Sequence, residues 1–253
     1  TGHLESVQVH YDPDQIRYET LLEAFWLSVT PLSGRAASAL GRRLIGWLGP
    51  RTRKNYKVLA NLQMAFPECS EKEVAGLARQ VWENFGALLA EYPHLGSICD
   101  PDRVDPAIEI VCENRDPAFL NHERPCIFFA AHMGNLDLSA FAIQHFGYPI
   151  DVVYSPQSNA LVERAMQRRR RPLGCGFIGK ENSLRTMYKT LKGGKSVGLH
   201  VDVRVPGGDG VPFFGVNAPT TMAPAWLAWK TGCDLVPVKT LRLGDARFRT
   251  TLY

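Results

Sequence analysis

From about residue 107 onward, short apolar runs alternate with segments of helical length, and this alternation limits the possible folds more than any other feature. The runs fall at residues 108–111, 126–131, 150–154, 196–201 and 235–241. Between them lie helical candidates at 136–146, 159–170, 183–191 and 219–230. Such a chain is expected to form an α/β core: a mainly parallel central sheet flanked by helices. The hundred residues before it read differently. Ser70 and Glu73 have capping-box spacing ahead of the apolar positions Val74, Leu77, Val81 and Leu88, and Pro93 and Gly96 stop that helix. Pro101 and Pro106 mark a linker. The expected organisation is therefore an N-terminal helical region over 1–100 and an α/β core over 101–253.

The helical region carries an unusual charge pattern. Between residues 24 and 67 there is no Asp or Glu, yet Arg35, Arg42, Arg43, Arg51, Arg53, Lys54 and Lys57 all fall there. Leu40, Leu44, Ile45, Trp47 and Leu48 are interleaved with them. Apolar side chains and Trp beside arginines, with acids excluded, read as a helix lying in a membrane interface. The plainer reading is a helix packed on the core with a solvated basic face. No segment reaches the roughly 18 to 20 apolar residues that a bilayer span needs. A second basic region covers 164–195 and includes four consecutive arginines, 168–171, suited to an acidic carrier protein or to phosphate. The six cysteines include no C-x-x-C pair, which fits a reducing, cytosol-facing location. Residues 1–10 show no signal-peptide pattern and are read as an appended or unstructured end. The last residues, 248–253, look like a strand, so a further helix beyond them is expected.

The strongest chemical signal runs from Ala130 to Asp137: Ala-Ala-His-Met-Gly-Asn-Leu-Asp. His132 follows an apolar strand, Gly134 permits a tight turn, and Asn135 is the expected N-cap of the next helix. On one helix, a spacing of five would splay His132 and Asp137 by well over a right angle. A strand–turn–helix bend can instead bring them together at the strand's C-terminal end, where sites in α/β folds collect. A carboxylate on one imidazole nitrogen fixes the tautomer and leaves the other nitrogen to act as a base. No G-x-S-x-G elbow accompanies the pair, and Ser139 and Ser155 lack a motif. A base without a protein nucleophile points to a hydroxyl supplied by the substrate. The same pair could also be a structural tie between strand and helix.

His132, Gly134, Asn135 and Asp137 resemble the H-x4-[DE] motif of lysophospholipid-type acyltransferases. More narrowly, the chain resembles the lipid A biosynthesis late acyltransferases. The resemblance runs from Phe25 onward and rests on several blocks in order: residues 55–67 (NYKVLANLQMAFP), 170–174 (RRPLG), 191–202 (LKGGKSVGLHVD), 211–215 (VPFFG) and 235–238 (LVPV). It departs from the family at Val203, where Gln is frequent, and at Leu136, where an aromatic is frequent.

The resemblance implies direct acyl transfer from an acyl carrier protein or CoA thioester to a hydroxyl of a lipid A precursor. His132 would be the base and Asp137 its orienter. Gly134 and Asn135 would offer N–H groups to the oxyanion. Arg170 would bind substrate phosphate. Asp202 would be a site residue that either orients substrate or supports His132. Phe213 and Phe214 would wall a lipid-binding cleft, though two adjacent Phe also suit plain core packing. His200 is read as structural and His145 as a capping or surface residue. No metal or cofactor is implied, and the location implied is the cytoplasmic face of the inner membrane. Rival readings are transfer to a phosphatidylinositol mannoside or another glycolipid, a metal-dependent hydrolase built on His132, Asp137, His200 and Asp202, and a non-catalytic membrane-binding module. Nucleic-acid binding has no supporting motif.

Overall fold

A computed structural model describes residues 18–157, 159–205 and 207–253; the opening residues 1–10 lie outside them. The chain divides into two compact units, Thr1–His94 and Leu95–Tyr253.

The first unit is helical where described: α1 (Tyr18–Val29), α2 (Gly34–Leu48), α3 (Asn55–Ala65) and α4 (Glu71–Glu91). The capping box forms as its spacing predicts, with the Glu73 carboxylate accepting the Ser70 N–H at 2.8 Å. Helix α2 meets α4 through small residues. Gly41 and Gly86 face each other so closely that a Cβ on either would strike the other's carbonyl oxygen. Trp82 and Ala90 of α4 are buried, as are Ala37 and Ser38 of α2. The large apolar residues of α2 point the other way: Leu40, Leu44, Trp47 and Leu48 are all exposed, beside exposed Arg42 and Arg43. The Arg51 guanidinium lies 4.4 Å over the Trp47 ring. A helix that buries glycine and alanine while offering leucine, tryptophan and arginine outward reverses the usual soluble pattern.

The second unit is built in the order α5 (Leu95–Ile98), β1 (Ile108–Cys112), α6 (Pro117–Leu120), β2 (Ile127–Ala130), α7 (Leu138–His145), β3 (Ile150–Tyr154), α8 (Ala160–Arg170) and β4 (Gly176–Gly179). It continues through α9 (Ser183–Lys192), β5 (Ser196–His200), β6 (Asp209–Phe213), β7 (Val216–Thr220), α10 (Ala223–Thr231), β8 (Leu235–Gly244) and β9 (Arg247–Leu252). Seven strands form one sheet in the order β1-β9-β8-β2-β5-β3-β4. Every neighbouring pair is parallel except the hairpin β8–β9. The fold is thus α/β, with helices on both faces of a mostly parallel sheet.

Alternation along the strands sends side chains to two cores. On one face Phe128, Ile150, Val236, Val238 and Leu252 pack with Ile143 of α7 and Phe119 of α6. On the other, Ile127, Val197, Leu199 and Ile178 pack with Met187 and Leu191 of α9 and Leu227 of α10. The central strands are apolar on both faces because both are covered.

One expected element is different. The predicted helix over 219–230 begins only at Ala223, because residues 216–220 pair with β6 in an antiparallel hairpin. Cross-strand hydrogen bonding claims those residues, and Pro224 in the first turn suits the later helix start.

Candidate active site at the C-terminal edge of the sheet

Strands β2 and β5 lie side by side at the centre of the sheet, with Ala130 opposite His200. The Val201 N–H donates to the Ala130 carbonyl at 3.1 Å, which keeps the strand ends in step to their last residues. Two positions beyond each strand stand His132 and Asp202. Equal offsets from paired residues therefore put them together at one edge. From β2 the chain crosses through α7 to β3; from β5 it leaves through the hairpin and α10 to β8. These connections cover opposite faces of the sheet, each passing over the other's strand. Their departure to opposite faces opens the edge between β2 and β5, the position where α/β sheets place ligands.

At this edge the His132 Nδ1 is 2.7 Å from Asp202 Oδ1, and the His132 backbone N–H donates to Asp202 Oδ2 at 2.8 Å. One carboxylate holds both the ring and the main chain that carries it. Burial pushes the Asp202 carboxyl up, but the hydrogen bonds from the His132 ring and backbone outweigh it and leave the group below its ordinary value. Asp202 is then a carboxylate, and an acceptor, throughout the neutral range. The His132 side chain keeps 37% of its surface exposed, so the imidazole faces outward from the edge.

The turn after His132 has its own constraint. Gly134 has φ of +60°, and a Cβ there would lie 2.7 Å from the Thr240 carbonyl oxygen. Only glycine meets both demands without strain. The turn takes up more residues than expected, and α7 starts at Leu138, not Leu136. Asn135 is consequently not the N-cap. It lies buried in the turn, and Asp137 occupies the cap position without a side-chain cap bond.

Asp137 makes a different partnership from the one expected. Its Oδ2 is 3.0 Å from Arg170 Nε, and both side chains are about nine-tenths buried, at 9% and 10% exposed. The carboxylate that grips the His132 Nδ1 is Asp202, the residue the sequence left between two roles. Arg170 differs likewise from its expected place as an outward phosphate ligand. An ionised Asp137 buried this deeply needs a cation, and the last turn of α8 supplies it. The guanidinium also lies 5.6 Å over the Phe177 ring.

His200 belongs to the same cluster, although the sequence marked it only as structural. Its ring stacks on His132 with centroids 4.5 Å apart at 35°. Its Nε2 is buried without a hydrogen-bond partner among the described residues. Burial, followed by the neighbouring His132, lowers its pKa to about 4, so it is neutral at physiological pH. The charges of Asp202, Asp137 and Arg170 also act on it, which gathers the five side chains into one electrostatic unit. The available signal was position: His200 precedes Asp202 by two at the end of an apolar run, a spacing that puts both on one face if the chain stays extended.

Nearby nucleophile candidates are disarmed. Ser139 donates its hydroxyl to the Leu136 carbonyl at 2.8 Å. Burial, and then the charge of Asp137, pushes the Cys99 and Cys175 thiols up to about 12, so neither supplies a thiolate. No group of three or more His, Cys, Asp or Glu among the described residues is arranged to hold a metal ion.

Phe213 and Phe214 do not wall an enclosed cleft. They sit at the apex of the β6–β7 hairpin, 56% and 54% exposed, with their rings edge to face at 4.7 Å. His145, in the last turn of α7, is exposed and stacks on Phe141 at 5.7 Å.

Comparison with known proteins gives two results of different reach. Residues 9–253 match the family described as bacterial lipid A biosynthesis acyltransferase, which is nearly the whole chain. A short stretch is similar to a different group. Over 31 residues, 12% of this chain, it is 58% identical to a peptide methionine sulfoxide reductase MsrA of Thermoactinomyces vulgaris, covering 25% of that protein. Over 34 residues it is 56% identical to the MsrA of Salinispora arenicola, covering 16% of that protein. The chain therefore spans a quarter or less of these curated relatives' length. That likeness is local, whereas the family match contains the whole His132 site.

Proposed function

The chain belongs to the bacterial lipid A biosynthesis acyltransferase family, and we propose that it moves a fatty acyl chain from a carrier-protein or CoA thioester directly to a hydroxyl of a lipid A precursor. The observation that carries the mechanism is the grip of Asp202 on His132. With Nδ1 donating to that carboxylate, the lone pair that can act as a base is the one on Nε2. Nε2 takes the proton of the acceptor hydroxyl as its oxygen attacks the thioester carbonyl. The C–O bond forms, the carbonyl oxygen becomes an oxyanion, and the C–S bond then breaks. The imidazolium returns its proton to the departing thiolate. Asp202 stays ionised throughout and stabilises the imidazolium. No acyl-enzyme is needed, in keeping with the committed serine and the protonated thiols.

Asp137 and Arg170 serve this site from below. Their ion pair fixes the start of α7 against the end of α8, and so fixes the turn at Gly134 and Asn135. We assign oxyanion stabilisation to the backbone of that turn, with the guanidinium adding positive charge nearby. The outward leucines, Trp47 and arginines of α2 support peripheral attachment to the cytoplasmic face of the inner membrane, where the acceptor lipid would lie. No described helix is long and apolar enough to cross a membrane.

The test is incubation of the purified chain with a lipid A precursor and a series of acyl-carrier-protein and acyl-CoA thioesters, read by mass spectrometry. A product heavier by one acyl chain, absent with His132→Ala, is expected. Product formed equally by His132→Ala would remove the general-base mechanism. Product on other glycolipids alone would move the acceptor.

A further inference from the structure

The β6–β7 hairpin is an anomaly in this fold. None of its ten strand residues is buried, so it cannot be held by packing of its own. Its register sorts the side chains cleanly. Phe213 stands opposite Val216 and Val211 opposite Ala218 on one face, while Pro212 opposes Asn217 on the other. Phe214 follows at the apex in the left-handed region, at φ of +47°, which a bulky residue adopts only under constraint. Val211, Phe213, Phe214 and Val216 are each at least 39% exposed. From residue 210 to residue 232 the chain contains no acid and one cation, Lys230.

The apolar surface continues to the chemistry. Met133, the residue after His132, and Val203, the residue after Asp202, are 40% and 43% exposed. Each member of the dyad is thus followed at once by an outward apolar side chain, at the edge from which the hairpin leaves. Five-residue strands span about 17 Å, longer than the roughly 5–10 Å depth where apolar side chains settle in a bilayer. An exposed aromatic apex suits a fluid phase, which closes around it, better than the flat surface of a folded partner. Asp209, at the base, is the hairpin's one acid; none lies on the apex or from there through α10, so the tip meets no repulsion from anionic headgroups.

We propose that the apolar face and apex of the β6–β7 hairpin insert into the lipid bilayer and seat the His132 and Asp202 edge at its surface. The choice of a bilayer as occupant rests on the acyl-transfer reading, since the acceptor of such a reaction carries its chains in a membrane. Within the second unit this face continues, through Val203, to the reacting groups.

The experiment uses the full chain and vesicles of phosphatidylethanolamine and phosphatidylglycerol. Phe213→Thr with Phe214→Asn removes both rings while keeping a strand former and a residue tolerant of positive φ. Flotation is expected to show partitioning weakened about tenfold or more, with an unchanged melting temperature. A second variant, Phe213→Trp, guards against misfolding of the first. Its added emission, relative to wild type, is expected to be quenched by lipids brominated on their acyl chains. Wild-type partitioning retained by the double variant, or no quenching of the Phe213→Trp signal, would overturn the proposal. A wild-type dimer dissolved by the double variant, without quenching, would assign the face to a second copy instead. These readings report partitioning and not turnover. Loss of acyl transfer in His132→Ala with normal flotation separates the two claims, so the failure of one is distinguishable from the failure of the other.

Discussion

Replacing Asp202 by Asn tests how the site makes a base. The two carboxylate oxygens accept from two different N–H groups of one residue, the ring Nδ1 at 2.7 Å and the backbone N at 2.8 Å. An amide has one oxygen and one NH2. If its oxygen keeps the backbone N–H, the NH2 must face Nδ1, which can receive it only by giving up its own proton. The proton then sits on Nε2, and the nitrogen that should accept the hydroxyl proton cannot. If the amide turns the other way, its NH2 confronts the backbone N–H as donor against donor, and the loop must shift. Either way the variant loses general-base catalysis, on the order of 10²- to 10⁴-fold in kcat, or about 3–5 kcal/mol of transition-state stabilisation. KM should change little, because Asp202 acts through His132. The assay is acyl transfer under saturating thioester, accompanied by nitrogen-15 NMR of the His132 ring. Wild type should show Nδ1–H and a bare Nε2; Asp202→Asn should show the reverse tautomer. A variant within tenfold of wild type, or with the wild-type tautomer intact, would refute this account of the dyad.

Other expectations follow from the same cluster. Removing one member of the buried pair of Asp137 and Arg170 strands its partner, so Asp137→Ala or Arg170→Ala should each cost about 3–5 kcal/mol in urea unfolding, and the double variant clearly less than the sum. Additive losses would mean that the two do not interact. His200 is held neutral in the folded chain, with its pKa lowered from 6.5 to about 4. The unfolded chain therefore binds the extra proton first, and stability falls as pH drops from about 6.5 towards 4, by about 3 kcal/mol over that window. His200→Leu should flatten that part of the curve in melts across pH. Gly134→Ala should lower stability by about 1–3 kcal/mol, through positive φ and the Thr240 carbonyl, and it should reduce kcat as His132 is displaced. Thermal melts and turnover on one preparation check both. Gly86→Val drives a side chain into the Gly41 backbone and should destabilise the first unit by about 1–3 kcal/mol or more, seen as loss of helical circular dichroism on heating.

The parts of this fold legible in the sequence are those set by local periodicity. Strands β2, β3 and β5 lie within a residue or so of the apolar runs that announced them, because strands buried on both faces need continuous apolar stretches. The hairpin β6–β7 was missed for the opposite reason. Its strands are short and exposed, so no burial pattern marks them, and the apolar positions of 216–220 run into those of α10. The turn was partly legible: Gly134 carries its own explanation, but how many residues the turn would use depends on the approach of Thr240, which is 106 positions away. For the same reason the expectation fixed on Asp137 as orienter. Spacing along the chain shows a carboxylate five residues away, whereas Asp202 reaches His132 only through sheet register.

That register also bears on the proposed role of His132 as a base without a neighbouring serine or cysteine. Ala130 is locked opposite His200 by parallel pairing, and the two residues that follow each strand end inherit that alignment. The dyad is therefore placed by two hydrogen-bonded strands at the centre of the sheet. On the proposed mechanism the hydroxyl it activates lies on the substrate, which must be brought to the exposed ring. A site of this kind needs no loop to deliver a protein nucleophile, but it does need its lipid acceptor held at a fixed height above the sheet edge. The ion pair of Asp137 and Arg170 sets the floor of the site. The exposed Met133 and Val203 supply the apolar contact that an acyl-bearing substrate can use on approach. In the proposed reaction, catalysis depends on the match between one fixed imidazole and an interface whose position the surrounding apolar residues determine.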